Sequence, residues 1–186
     1  MADSYHPELE EGELLDEEGR KRHQYIIGIL QWISTLGRID VVYATSSMSR
    51  FSNAPKNKHL EAVERILGYL KKYPKKGIVI NPTNPQYNNP TYTKATFTED
   101  FGNQYKYFIE DIDPRFPEPL IQTLSTTFSS DSDHAHDKVT GRSITGILGF
   151  VGSTPVTARS TRQSCVQTST FGAELVARCL EAWIRD

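Results

Sequence analysis

Cysteine is scarce in this chain of 186 residues, with Cys165 and Cys179 the only two and no CxxC spacing. A disulfide framework and a cysteine-rich zinc module are therefore excluded, and the pair suits a reducing compartment, with packing as its expected role. Long apolar runs are also missing: nothing approaches the ~18 residues that a membrane-spanning helix needs. The opening residues are acidic rather than basic and then apolar, so a secretory leader is a poor reading. An intracellular chain, cytoplasmic or nuclear, with no membrane partner is the expectation. No repeat at a fixed period is visible, which removes solenoids. Glycine and proline together make only 22 residues, too few for collagen-like or low-complexity sequence.

Charge is present but unevenly placed. Residues 1–20 hold eight acids against one base, leaving 20 bases against 15 acids in the remainder. The leader, residues 1–21, reads as an acidic flexible arm. The most cationic stretch runs over residues 50–76. There Lys56, Lys58, Arg65, Lys71 and Lys72 form the kind of surface that phosphate contacts require, although a solvated helix face has the same composition.

Hydrophobic periodicity divides the rest. From Arg22 to Leu36, Tyr25, Ile26, Ile29, Leu30, Ile33 and Leu36 recur at three and four residues and predict an amphipathic helix that Gly37 ends. A second helix over VVYATSSMSRF, capped by Asp40, and a third, opened by Pro55 and carrying Leu60, Val63, Leu67 and Leu70, complete a small helical subdomain over 22–81. Its last residues, Lys76–Asn81, form a strand candidate. Residues 82–119 hold six prolines and no period, so they read as a connector, with one ordered patch at Tyr105–Ile109. Beyond residue 120 the period becomes two. Three segments, QTLSTTFSSDSD, SITGILGFVGS and TPVTARSTRQ, predict an antiparallel meander. A helix then follows, capped by Ser169 or Thr170, with Leu175, Cys179, Ala182 and Trp183 on one side. The fold class is α+β: a helical subdomain, then three antiparallel strands and a helix over 120–186.

The richest chemistry lies in the run DSDHAHD. Alternation places Asp131 and Asp133 on one strand face, about 7 Å apart, where both can address a hard cation. A calcium loop fails, because Ala135 takes a ligand position, His136 replaces the needed glycine and Arg142 the terminal glutamate. A zinc-dependent phosphoesterase built on His134, His136 and an aspartate is an alternative that lacks a completing ligand group. Glu174, just inside the final helix, either complements the helix dipole or, if that helix crosses the meander, joins Asp131 in an oxygen-rich Mg²⁺ site.

Four blocks in order carry a resemblance: YIIGILQW, GRIDVVYATSSMSRF with HLEAVERILGYLKKY, FSSDSDHAHD, and GRSITGILGFVGSTPV with TRQSCVQTSTFGAELVA. Across roughly residues 22–183 the chain resembles copia-type (Pseudoviridae) retrotransposon polyproteins, at the carboxy-terminal part of the reverse transcriptase and the start of the ribonuclease H domain. The resemblance implies hydrolysis of RNA in RNA–DNA hybrids with two Mg²⁺ ions, or Mn²⁺ in their place. It makes Asp131 and Glu174 catalytic and metal-binding, and Asp133 and Asp137 further metal ligands. It also implies the rest of the polyprotein as partner and virus-like particles as a setting, while a final helix without later sheet partners would expose an apolar face and favour self-association. This sequence departs from the pattern in lacking a YVDD-like polymerase motif and the family's next aspartate-bearing strand. Gly172 replaces an acidic residue and Ala158 an aromatic one. Weak or absent activity of this chain alone is the expectation, and a non-catalytic nucleic-acid-binding module using the basic helix 56–72 is the alternative.

Overall fold

The computed structural model describes residues 6–81, 83, 115 and 126–185. The connector over 82–119, including the patch at Tyr105–Ile109, lies almost entirely outside them. Three helices come first: α1 (Glu17–Thr35), α2 (Val42–Ser49) and α3 (Asn57–Lys72), with 3₁₀ turns at Pro7–Leu9 and Ile39–Val41. Strands β1 (Thr126–Asp133), β2 (Ile144–Val151) and β3 (Thr154–Arg162) then form an antiparallel sheet in the order β1-β2-β3, followed by α4 (Thr170–Arg185). The chain is thus α+β, and three antiparallel strands followed by a helix make a partial ribonuclease H-like unit.

Helix α1 begins five residues before Arg22 because Asp16 supplies a cap: its carboxylate accepts the Gly19 N–H at 2.8 Å. Glu17 and Glu18 then sit where the helix dipole favours negative charge. Gly37 closes the segment with φ +116°, a value that a side chain would strain. The predicted stripe is rotated. His23, Ile26, Ile27 and Leu30 face inward while Tyr25 and Leu36 are exposed. With Val41, Met48, Ala62, Val63 and Ile66 the three isoleucine and leucine side chains make one apolar core. Asp40 does not cap α2. It lies in the 3₁₀ turn, where Arg38 and the Tyr69 hydroxyl donate to it. The Arg38 bonds, aided by Tyr69, hold its carboxyl below the usual range against the upward push of burial.

Two expectations about the flanks of this subdomain change. The described part of the acidic leader is held against the helices: Pro7 is buried, its carbonyl meets His59 Nε2 at 2.9 Å, and Leu14 bridges Lys56. Residues 17–21 belong to α1 itself. Lys76–Asn81 is not a strand, because no ladder partner lies beside it among the described residues; instead, the Asn81 N–H donates to the Thr154 hydroxyl at 2.7 Å.

In the sheet, β1 pairs β2 with Asp131 opposite Gly146, and β2 pairs β3 with a bulge at Gly149/Phe150. Pro155, which has no N–H to give to a ladder, falls beside that bulge on an edge strand, where such a residue is tolerated. Gly149 is obligatory for packing: a Cβ there would lie 2.6 Å from Thr157 Cγ2 and 2.7 Å from the Phe128 ring. Helix α4 crosses the face shared by Ser130, Ser132, Thr145 and Ile147. Its inward side is Ala173 and Ala177, with Leu180 half-buried. This reverses the expected face. Leu175 and Cys179 point to solvent with Ala182, because a helix lying close on a sheet fits alanines at the contact and turns bulk outward. The side chain of Trp183 lies outside the described residues. Cys165 is exposed too, so neither cysteine packs a core.

Candidate active site at the edge of the sheet

Among the polar contacts that join the sheet half to the helices are three from α2 and the residue that follows it. Ser46 Oγ donates to the Ser160 carbonyl at 2.6 Å, Tyr43 Oη meets His136 Nε2 at 3.1 Å, and Arg50 reaches Asp137 at 3.3 Å. Against that frame, β1 is the outer strand of the described sheet on the side that meets α4. Glu174, in the second turn of α4, sends Oε1 to this edge. There it accepts both the Ser132 backbone N–H, at 3.3 Å, and the Ser132 hydroxyl, at 3.1 Å. One helical heptad further on, Glu181 accepts the Ser130 hydroxyl at 2.5 Å. The two serines stand two residues apart on one strand face, and the two glutamates seven apart on one helix face. The pairs stitch helix and strand together in antiparallel sense.

Asp131 lies between those serines, so the peptide whose N–H Glu174 holds is its own link to Ser132. Strand alternation directs the Asp131 side chain to the opposite face, where Asp131 and Asp133 are both exposed. Glu174 and Asp131 therefore flank the same edge from two sides. Asp133 is drawn off by His136, whose Nδ1 lies 2.6 Å from it.

Asp137 is buried, with a side chain only 2% exposed. It accepts the Val139 and Thr140 N–H groups of its own turn and the guanidinium groups of Arg50 and Arg162, the latter at 2.6 Å. Burial alone would raise its pKa, but the Thr140 amide and Arg162 outweigh it and hold the carboxyl down at about 2. Both oxygens are spent on tying β3 and α2 to the turn. The expected metal ligand is, in this arrangement, a tie between the two halves.

The histidines diverge. Ala135 adopts φ +52°, a left-handed conformation that costs about 1 kcal/mol for a non-glycine residue. This kink sends His134 to the Gln167 carbonyl at 2.9 Å, while His136 turns toward Tyr43 and Asp133. A zinc site using both has no geometric basis. Among the described residues no group of three or more His, Cys, Asp or Glu side chains is placed to hold a metal ion. The described residues thus do not assemble a two-ion Mg²⁺ site, and Asp131 and Glu174 approach β1 from opposite faces.

Of the cationic residues on α3, Arg65, Lys71 and Lys72 are exposed, and Lys72 Nζ stands over the Tyr73 ring. Lys56 and Lys58 are engaged by the leader: Lys56 Nζ donates to the Glu10 carbonyl at 2.5 Å, and Lys58 pairs with the Glu10 carboxylate at 2.6 Å. Sequence reasoning missed Ser130, Ser132, Glu181 and Gln163. The heptad from Glu174 to Glu181 was a signal for the third of these. Gln163, which donates to Thr145 Oγ1 and to the Ala173 carbonyl, gave none.

With this geometry in place, comparison with known proteins adds one likeness. Over 149 residues, 80% of the chain, the sequence is 28% identical to the Retrovirus-related Pol polyprotein from transposon RE1 of Arabidopsis thaliana. The chain resembles a segment of a retrotransposon polyprotein. It spans 8% of that relative's length. No protein-family model matches it, and no solved structure does. No helix among the described residues is long and apolar enough to cross a membrane.

Proposed function

We propose that the chain is the segment of such a polyprotein that joins the end of a reverse transcriptase to the start of its ribonuclease H domain. Asp131 and Glu174 are then two members of a carboxylate set whose remaining members come from elsewhere in the polyprotein. The completed set would bind Mg²⁺, or Mn²⁺, which supplies an activated water and stabilises the leaving oxygen during hydrolysis of RNA in a hybrid. Within this chain Glu174 contributes by position: Ser132 fixes one of its oxygens at the β1 edge, leaving the other for a ligand. The observation that carries the reading is this contact, one residue from Asp131 and in the strand–strand–strand–helix order. The reading assigns Asp137 to holding the turn that carries the site, and Asp133 to the exposed face of β1.

Cleavage of a labelled RNA–DNA hybrid in Mg²⁺ tests the proposal, with this chain compared against the same chain followed by about 100 further residues of its polyprotein. The longer protein should cleave and this chain should cleave weakly or not at all. In the longer protein Asp131→Asn and Glu174→Gln should each lower kcat at least about 100-fold, the scale of losing a group that acts on the reacting centre. An inactive longer protein, or full activity in either variant, would remove the assignment.

A further inference from the structure

The acidic leader has a structural role that its composition alone does not suggest. Residues 6–16 run along the segment that leads into α3. Leu15 N–H donates to the Pro55 carbonyl at 2.9 Å, Leu14 forms a bridge with Lys56, and the Pro7 carbonyl meets His59. Glu8 is anchored at the far end, where one of its oxygens accepts the Lys138 N–H at 3.1 Å and the other approaches Arg50 at 3.9 Å. Between these anchors Glu10 engages two lysines at once, Lys56 through its carbonyl and Lys58 through its carboxylate. Lys58 is the first residue of a cationic line. Lys58, Arg65 and Lys72 are spaced by seven, so they follow one another along a single face of α3 at about 10 Å intervals, and all three are exposed. Glu11 and Glu13, also exposed, extend the negative charge of the leader beside the start of that line.

We infer that residues 6–16 form an acidic strap that competes with nucleic-acid phosphates for the head of the Lys58–Arg65–Lys72 line, so that the surface is partly masked until the strap lifts. The carboxylates of the strap stand in for phosphate groups, and a duplex that takes Lys56 and Lys58 must displace Glu10 from both. This inference rests on nucleic acid being the partner, as proposed above, but concerns binding and not cleavage. The anchors at Pro7 and Glu8 are separate from the competing charges, which allows the charges to be removed with the anchors left in place.

The test uses the full chain and a non-cleavable 20-base-pair DNA duplex, so that loss of hybrid hydrolysis has no bearing on it. Neutralising the strap with Glu10→Gln, Glu11→Gln and Glu13→Gln should tighten binding about 10-fold at low salt. The dependence of log K on log salt should steepen by about 1, as expected when Lys58, freed from the Glu10 carboxylate, reaches a phosphate while Lys56 stays on the Glu10 carbonyl. Adding Lys56→Gln and Lys58→Gln to that background should remove the gain. Hydrogen exchange supplies a readout that needs no variant: the Leu15 amide, held by Pro55, should exchange faster when the unaltered chain is saturated with duplex. Equal affinity and salt slope in the neutralised chain, including no binding by either, would overturn the inference. So would an unchanged or slower Leu15 amide in the complex.

Discussion

In the helical half, eight apolar side chains from α1, α3 and the region of α2 meet in one cluster, with Leu30, Met48 and Val63 wholly buried. The sheet half buries Ile144, Ile147, Ala173 and Ala177 in company with Thr145, Ser143, Gln163 and Asp137. Its helix leaves Phe171 76% and Leu175 52% exposed. The first half is held by hydrophobic burial. Among its described residues the second is held largely by a polar network and by contacts with α2.

The largest test of this contrast is Asp137→Ala. It would leave the Arg50 and Arg162 guanidinium groups and two turn amides without their acceptor, and should cost roughly 3–5 kcal/mol. Urea unfolding should show the sheet half losing its protection first. Leu30→Ala should cost about 3 kcal/mol through transfer and cavity terms together, and hydrogen exchange should place that loss in α1–α3. Gln163→Ala strands Thr145 Oγ1 and the Ala173 carbonyl, and should cost about 2 kcal/mol in the sheet half while leaving the helices protected. If the two halves lost protection together in all three variants, they would be one cooperative unit and the contrast would fail.

Acid should separate the halves differently. His23 is fully buried and neither of its ring nitrogens has a partner, so burial, reinforced by neighbouring His59, lowers its pKa below the ordinary 6.5. Since the unfolded chain takes up that proton first, stability should be complete above pH ~6.5 and fall as the pH drops below it. His23→Leu should flatten this part of the profile in thermal unfolding. Asp137 acts lower. Its stabilisation, about 2 kcal/mol, is present above the ordinary value of 3.8 and is lost as the pH falls toward its folded value of about 2. The smallest effect belongs to Glu174→Gln, which keeps an acceptor for Ser132 and should change stability by less than about 0.5 kcal/mol.

Much of this architecture was legible in the sequence because it rests on local rules. The periodicity of three and four gave α1 and α3, alternation gave the meander, and Ser169 caps α4, with its Oγ accepting the Gly172 N–H at 3.1 Å. What failed was decided at longer range. The inward face of α4 is set by how closely the sheet approaches, and the apolar content of Leu175 and Cys179 pointed the wrong way. KGIVIN has strand composition but no neighbour to pair with among the described residues. At the proposed site, Asp131 and Glu174 were singled out by type and order, and the structure places them on the two faces of one strand. The positive φ of Ala135, which parts the histidines, and the distant arginines that claim Asp137 left no local mark.

The central proposal is that Glu174 of α4 and Asp131 of β1, reaching one strand from its two faces, supply oxygen ligands to a shared ion. Paramagnetic broadening of backbone amide signals by millimolar Mn²⁺ tests it most directly in this chain. Amides of residues 130–133 and 173–175 should broaden together, and Glu174→Gln should weaken the effect at both. Broadening confined to one of the two segments, or untouched by the substitution, would contradict the account.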